Sequence, residues 1–405
     1  MKVIKLAVVF CFQTIEASNV LSLPRPRYNI KKWYQIFYKN INEENTKHIE
    51  FNINENDIFK ETLDYFDSFK ENGMLLKNYN LNIRFYNLKK YCNESDYTDW
   101  WLTTMALEFR KKKRLLFSCI NRKNNMFEPN IFSKNALGTR ISTELKAFGN
   151  IIGLIIKRER YLPFKLTKYF FQILCNEKIR DKNLSHKKNS SFEYSQMRKV
   201  NINGTCNFEF EIPFFDLNDK KDLFVNHYVI TNNIPKYSFN YARSHILKLK
   251  FENLTQVIDK IKLGIYEVID DKYLNRLTSR TFENLINGSG ISIHKDYWLE
   301  NCLCLVEDKN TNAIRWFWKY IKNCNHDKVK TIFFLLTGHE YMPLNNYRKP
   351  NIHINISLID DIKCNFLPFS KHLFLSKTLN EKEFILSLEN IFFIANEKNE
   401  YDNSY

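Results

Sequence analysis

The sequence predicts an α+β fold in two unequal parts, and three observations predict it. Apolar residues recur at helical spacing along several stretches before residue 307, which marks a larger, mostly helical part with a few strands. A polar run at 307–312 then breaks the pattern. Beyond it, helical stripes, one alternating strand and a capped last helix make a smaller α+β part.

Taken in chain order, residues 1–19 come first. A basic start, a short apolar stretch at 6–12 and the small pair Ala17-Ser18 give the segment the look of a secretory signal. The alternative reading there is an ordinary buried strand or helix start. Residues 20–47 are polar and expected to be irregular. Leu145, Phe148, Ile152 and Ile155 share one face of a helix. Leu166, Tyr169, Phe170, Ile173 and Leu174 mark the next, opened by Pro163. The chain turns polar between 178 and 207, as an insertion or loop-rich subdomain would. Leu254, Val257, Ile258, Ile261, Ile265 and Val268 define a third, long helix.

After the polar run, Ile314, Phe317, Trp318 and Ile321 form an apolar helix stripe. Asp327 is placed to cap a helix over 329–336 that ends at Gly338. Ile352, Ile354, Ile356 and Leu358 alternate with polar residues, which is the pattern of a half-buried strand. Asn380 and Glu383 form a capping box for a last helix that turns Phe384, Ile385, Leu388, Ile391 and Phe392 inward.

Composition narrows the function classes. The 405 residues are 44% hydrophobic and 15% aromatic, enough to bury a sizeable core. The formal charge of +16 invites an anionic partner. Its densest run, Arg110-Lys111-Lys112-Lys113-Arg114, reads first as a solvated helix face and second as an anionic-surface or nuclear-localisation patch. No zinc-finger spacing or aromatic interleaving points to specific nucleic-acid binding. Cysteines occur singly apart from Cys302-x-Cys304, so neither a zinc site nor another metal or cofactor is expected, and the pattern suits a reducing cytoplasm. A cleaved signal at 1–18 would instead imply secretion. No stretch approaches the ~20 apolar residues of a membrane span.

Several segments together resemble one family. Phe282-Glu283-Asn284-Leu285-Ile286-Asn287-Gly288-Ser289 looks like its "ELELLICGS" segment. Ile314-Arg315-Trp316-Phe317-Trp318 resembles "I-x-x-F-W", and Phe334-Leu335-Leu336-Thr337-Gly338 with Pro343 resembles "F-x-T-G…P-x-G-G". Phe148-Gly149-Asn150-Ile151-Ile152-Gly153 and Ile230-Thr231-Asn232-Asn233 find counterparts upstream. Leu367-Pro368-Phe369-Ser370 resembles the active-site strip "L-P-x-A/S-H-T-C-F-N". Order and spacing are those of HECT-type ubiquitin ligases, over residues 48 to 395. The resemblance implies a bilobal fold: an N-lobe at 48–308, with a subdomain for the conjugating enzyme at 178–228, a hinge at 309–313 and a C-lobe at 314–405. It also implies a conjugating enzyme and ubiquitin as partners. A C-lobe cysteine would receive ubiquitin as a thioester and pass it to a substrate lysine.

That chemistry needs a thiolate, which combines nucleophilicity near neutral pH with a good leaving group. Counting six residues on from Leu367 along the family strip reaches Leu373, which has no ionisable group. The family histidine and threonine positions hold Lys371 and His372. Cys364 is a candidate displaced thiol, with a small buried residue as its ordinary reading. His372 could act as nucleophile or base, against an ordinary reading as an exposed loop histidine. Asn345-Asn346 replaces the family's glycine pair. At the family's aromatic contacts for the conjugating enzyme stand Ser238 and Ala242, with Tyr237, Phe239 and Tyr241 one register away; these rings read as partner contacts or as core. Three functions follow: a pseudo-ligase that binds without transferring, an active transferase using Cys364, or an unrelated secreted binding protein. Substrate choice would rest with the lobe surfaces or with partner proteins.

Overall fold

The computed structural model describes residues 38–39, 47–86, 94–111, 116–121, 125–130, 139–177, 198–202, 205–216, 221–230, 238–275, 277–288, 298, 302–305, 311–338 and 352–401. The chain divides into Met1–Thr46 and Lys47–Tyr405, and the fold described below is that of the second unit. The candidate signal and the leader lie outside the described residues, apart from 38–39.

The larger part begins with strand β1 (Lys47–Ile53), helix α1 (Ile58–Glu71) and strand β2 (Tyr79–Phe85), with β1 and β2 parallel. Phe51 stacks on Tyr65 at 4.3 Å and meets Phe66 and Phe69 edge-on, so one aromatic cluster glues the pair to α1. Helix α2 (Glu94–Arg110) follows and buries Trp101, whose indole N–H donates to Thr62 Oγ1 at 2.9 Å. Strands β3 (Phe117–Asn121) and β4 (Met126–Pro129) lead into helix α3 (Thr139–Lys157). Strand β5 (Lys165–Leu166) and helix α4 (Lys168–Leu174) come next. The opening residue of α4 is Thr167 rather than Pro163: its hydroxyl accepts from Phe170 N, and Leu166 belongs to β5.

Strands β6 (Arg198–Ile202), β7 (Thr205–Asp216) and β8 (Lys221–Ile230) form an antiparallel sheet that begins inside the 178–207 segment read as an insertion and runs past its end. Helix α5 (Ser238–Val268) is longer than its apolar stripe suggested, and Leu254, Val257, Ile258, Ile261, Ile265 and Val268 are all buried. It crosses α3 at unusually close range. A Cβ on Gly149 would overlap the Ile261 carbonyl, and one on Gly264 would overlap the Lys146 carbonyl. Glycine is required there because backbone meets backbone. An ion pair between Lys146 and Glu267 spans the crossing. Two short helices complete this part, α6 (Asp271–Leu274) and α7 (Ser279–Asn287). Asn287 binds both the N–H and the C=O of Leu166, at 3.1 and 3.0 Å, and ties α7 to β5.

The basic run behaves differently from a solvated face at its start. Arg110 is only 7% exposed; its guanidinium donates to Asn125 Oδ1 at 2.9 Å and lies over the rings of Phe127 and Phe164. Burial is tolerated because the rings and the amide replace part of the water shell. Lys111 pairs with Glu108 at 2.6 Å, and 112–114 lie outside the described residues.

The smaller part has its own core. Strand β9 (Cys302–Leu305), helices α8 (Asn312–Asn323) and α9 (His326–Thr337), strands β10 (Ile352–Ile359), β11 (Asn365–Leu367) and β12 (His372–Ser376), and helix α10 (Glu381–Tyr401) build it. The sheet order is β11-β12-β10-β9, with β10 parallel to both β9 and β12. One cluster of buried residues running from Trp298 to Phe392 fills this part, including Phe317, Phe333, Leu373 and Leu388. The chain is therefore an α+β protein of two lobes. The sheet of the smaller lobe recruits residues 302–305, upstream of the expected 309–313 hinge, while 306–310 lie outside the described residues.

Caps set the helix limits here. The capping box at α10 is present in both directions, Glu383 N to Asn380 Oδ1 at 3.1 Å and Asn380 N to Glu383 Oε2 at 3.4 Å. The cap of α9 is Asn325, which accepts from Lys328 N at 2.8 Å; Asp327 instead sits in the first turn. An amide side chain one residue outside the helix reaches the free N–H groups, which a residue already inside cannot do. Gly338 ends α9 in the left-handed conformation at φ 72°.

Candidate functional site

The strip at 367–374 folds as a hairpin. β11 and β12 pair antiparallel, with Phe366 opposite Leu373 and Leu367 opposite His372, and residues 368–371 make the turn. Phe369 and Lys371 take the left-handed conformation, at φ 62° and 63°. The turn caps α9: Phe369 N donates to Leu335 O at 2.8 Å and Lys371 N to Leu336 O at 2.6 Å. These are last-turn carbonyls that would otherwise lack partners. Asn355 N donates to Lys371 O at 2.8 Å, and Phe334 meets Phe369 ring to ring at 5.6 Å. Phe369 and Ser370 are both buried.

Leu373 stands second in β12, a strand hydrogen-bonded on both sides, where it is paired with Phe366 on β11 and Ile356 on β10. It is 0% exposed. Side chains alternate along a strand, so Leu373 and Leu375 share the face that packs with Ile354, Ile356 and Phe366 into the C-lobe core. Position 373, where counting along the resembling strip expects sulfur, is thus an ordinary core position, and no cysteine occurs between 365 and 376.

His372 takes the opposite face. It lies in β12, not in an exposed loop, and is 7% exposed. Its ring stacks on Phe374 at 5.2 Å, and Nε2 is 3.3 Å from Ser357 Oγ. The reading of it as an exposed loop residue is corrected by strand pairing, which draws position 372 into the sheet.

Cys364 lies just before β11 and is 2% exposed. Its N–H donates to Ser387 Oγ on α10 at 2.9 Å. Burial pushes the thiol above its ordinary pKa, and contacts with the Ser376 backbone and the Ser387 hydroxyl oppose that only in part. A raised pKa lowers the thiolate fraction on which nucleophilicity depends. Leu373 and Cys364 share one core and neither reaches a surface; His372 faces away from both.

Phe239 and Tyr241 fall in the first turns of α5, and Tyr237 lies outside the described residues, as do Asn345 and Asn346. Among the described residues no group of three His, Cys, Asp or Glu side chains is placed to hold a metal ion. No described helix is long and apolar enough to cross a membrane. Sequence reasoning missed a polar knot in the larger lobe. Lys157 Nζ donates to Tyr79 O at 2.9 Å, Arg158 donates to Leu81 O at 2.7 Å, and Arg160 pairs with Asp99. Burial lowers the Lys157 pKa to about 8. A run of three cations in a four-residue helix end was its sequence signal.

Comparison with known proteins agrees with this architecture. The profile described as "HECT-domain (ubiquitin-transferase)" matches residues 103–371, more than half of the chain. The chain is also 24% identical over 280 residues to a Neurospora crassa protein named "E3 ubiquitin-protein ligase TOM1-like". That match covers 66% of this chain but only 7% of the relative's length. The reading as an unrelated protein is set aside by these matches.

Proposed function

Since the chain belongs to the HECT-domain family, we propose that it is a pseudo-ligase, holding a conjugating enzyme and ubiquitin without forming the thioester of its active relatives. The observation that carries this reading is Leu373: 0% exposed, ladder-paired on both sides and packed into the C-lobe core. Covalent transfer would need a thiol presented to a ubiquitin C-terminus. Cys364, the alternative thiol, is buried and biased toward its protonated form. What the family fold then offers is two lobes and a sheet subdomain at 198–230 as binding surfaces. The scattered single cysteines suit a reducing compartment, the cytoplasm.

The test is incubation of the full chain with ubiquitin-charged conjugating enzymes, read in two ways. Co-sedimentation or calorimetry is expected to show non-covalent binding. Non-reducing electrophoresis is expected to show no thiol-sensitive ubiquitin adduct. An adduct that disappears in Cys364→Ser would establish the displaced-thiol transferase instead. Absence of any binding to the conjugating enzyme or to ubiquitin would end the proposal.

A further inference from the structure

Between the lobes, Gly338 and Thr103 meet at unusually short range. Gly338 closes α9 of the smaller lobe, and Thr103 lies on α2 of the larger one. A Cβ built on Gly338 would stand 3.0 Å from both Thr103 Cγ2 and Thr103 Oγ1, and 3.5 Å from Phe369 Cβ. Three elements therefore converge there: the end of α9, the turn of the family's transfer strip, and α2. Thr103 is held in place, its hydroxyl donating to Asp99 O at 3.1 Å, while Asp99 is anchored by Arg160. Phe369 is 6% exposed beside this contact.

We propose that the Gly338–Thr103 approach is a latch that seats the 368–371 turn against α2 and keeps it covered until the lobes part. The physical basis is the missing side chain. Packed interfaces tolerate little extra volume, so one added Cβ at 3.0 Å requires Thr103 and the surface behind it to give by a few tenths of an ångström. Glycine meets two demands at once: the left-handed C-cap and the close approach. The N–H groups of Phe369 and Lys371 are spent on Leu335 and Leu336, so the turn moves with α9 as one piece. Parting the lobes would uncover Phe369, which is 6% exposed in the closed arrangement. This inference goes beyond the pseudo-ligase reading and needs no partner for its test.

The experiment places a reporter thiol at the latch, Phe369→Cys in the full chain, and measures its alkylation rate by peptide mass mapping. Gly338→Asn keeps a residue tolerant of positive φ while adding a Cβ. It is expected to speed labelling at 369 about tenfold. Adding Thr103→Ala removes the two atoms that the new Cβ meets, and is expected to return the rate to that of the parent. Cys324 and Cys364, buried in the C-lobe core, serve as folding controls and should stay slow. No acceleration in Gly338→Asn, or no reversal by Thr103→Ala, would overturn the latch. Should the controls accelerate too, Thr103→Arg in the same reporter background wedges the seam from α2 alone. An unchanged rate there overturns the proposal equally.

Discussion

Placing a cysteine at position 373 should give no ubiquitin transfer, and the structure says by how much it should also harm the fold. Leu373→Cys exchanges the γ-carbon and two methyls for one sulfur at a site that is 0% exposed. The net loss of two carbon-sized groups costs about 1.6 kcal/mol in transfer free energy. Incomplete collapse around Ile356, Phe366 and Leu375 adds about 1 kcal/mol more. The expected destabilisation is therefore about 2–3 kcal/mol, localised to the smaller lobe, whose core holds Trp298 with Trp318 partly buried against it. Urea unfolding followed by tryptophan fluorescence measures it. Exposure of the variant to ubiquitin-charged conjugating enzyme should give no reducible adduct, because the thiol points into the core with its strand hydrogen-bonded on both sides. A thioester on the introduced thiol, in a variant as stable as the parent, would refute the argument, since it would mean that the strip is not a buried strand when the protein works.

Two further outcomes follow from the larger lobe. Gly264→Ala should destabilise by more than about 2 kcal/mol, since the overlap with the Lys146 carbonyl forces α3 and α5 apart and outweighs the ~1 kcal/mol gain in helix propensity; a neutral or stabilising result in urea unfolding would contradict the close crossing. For Lys157 the sign runs upward with pH. Burial lowers its pKa from 10.5 to about 8, so between those values the unfolded chain binds more protons and stability rises with pH. The full gain is on the order of 3 kcal/mol once the pH passes the unfolded value, and Lys157→Met should lack this increment when urea midpoints are compared between about pH 7.5 and 10.

Periodicity and local chemistry were open to inspection in the sequence. The stripe Leu254 to Val268, the alternation after Ile352, the Asn380–Glu383 box and the Gly338 stop each depend on residues within one or two turns of each other, and the folded chain uses them as written. The ordered set of motifs likewise located the family and its two-lobed α+β plan, because such spacing survives when identity has fallen to 24%. Where competition between neighbours decided, the sequence was silent. Asn325 and Asp327 both could cap α9, and only backbone position selected the first. Arg110 opened a basic run yet turned inward, because two rings and an amide were brought to it from residues 125–164.

The candidate site divides the same way. One-dimensional counting along the resembling strip reached a hydrocarbon, Leu373, at the position expected for sulfur. Whether that side chain lies at a reachable tip or inside a core depends on the pairing of β12 with β10 and β11, partners 17 and 7 positions away along the chain at Ile356 and Phe366. Strand register sets which face each residue takes, and register exists only once the sheet has formed. The approach of Thr103 to Gly338, more than two hundred residues apart, belongs to the same class. Local rules wrote the elements; long-range contact, which no short window of sequence encodes, chose what each element covers.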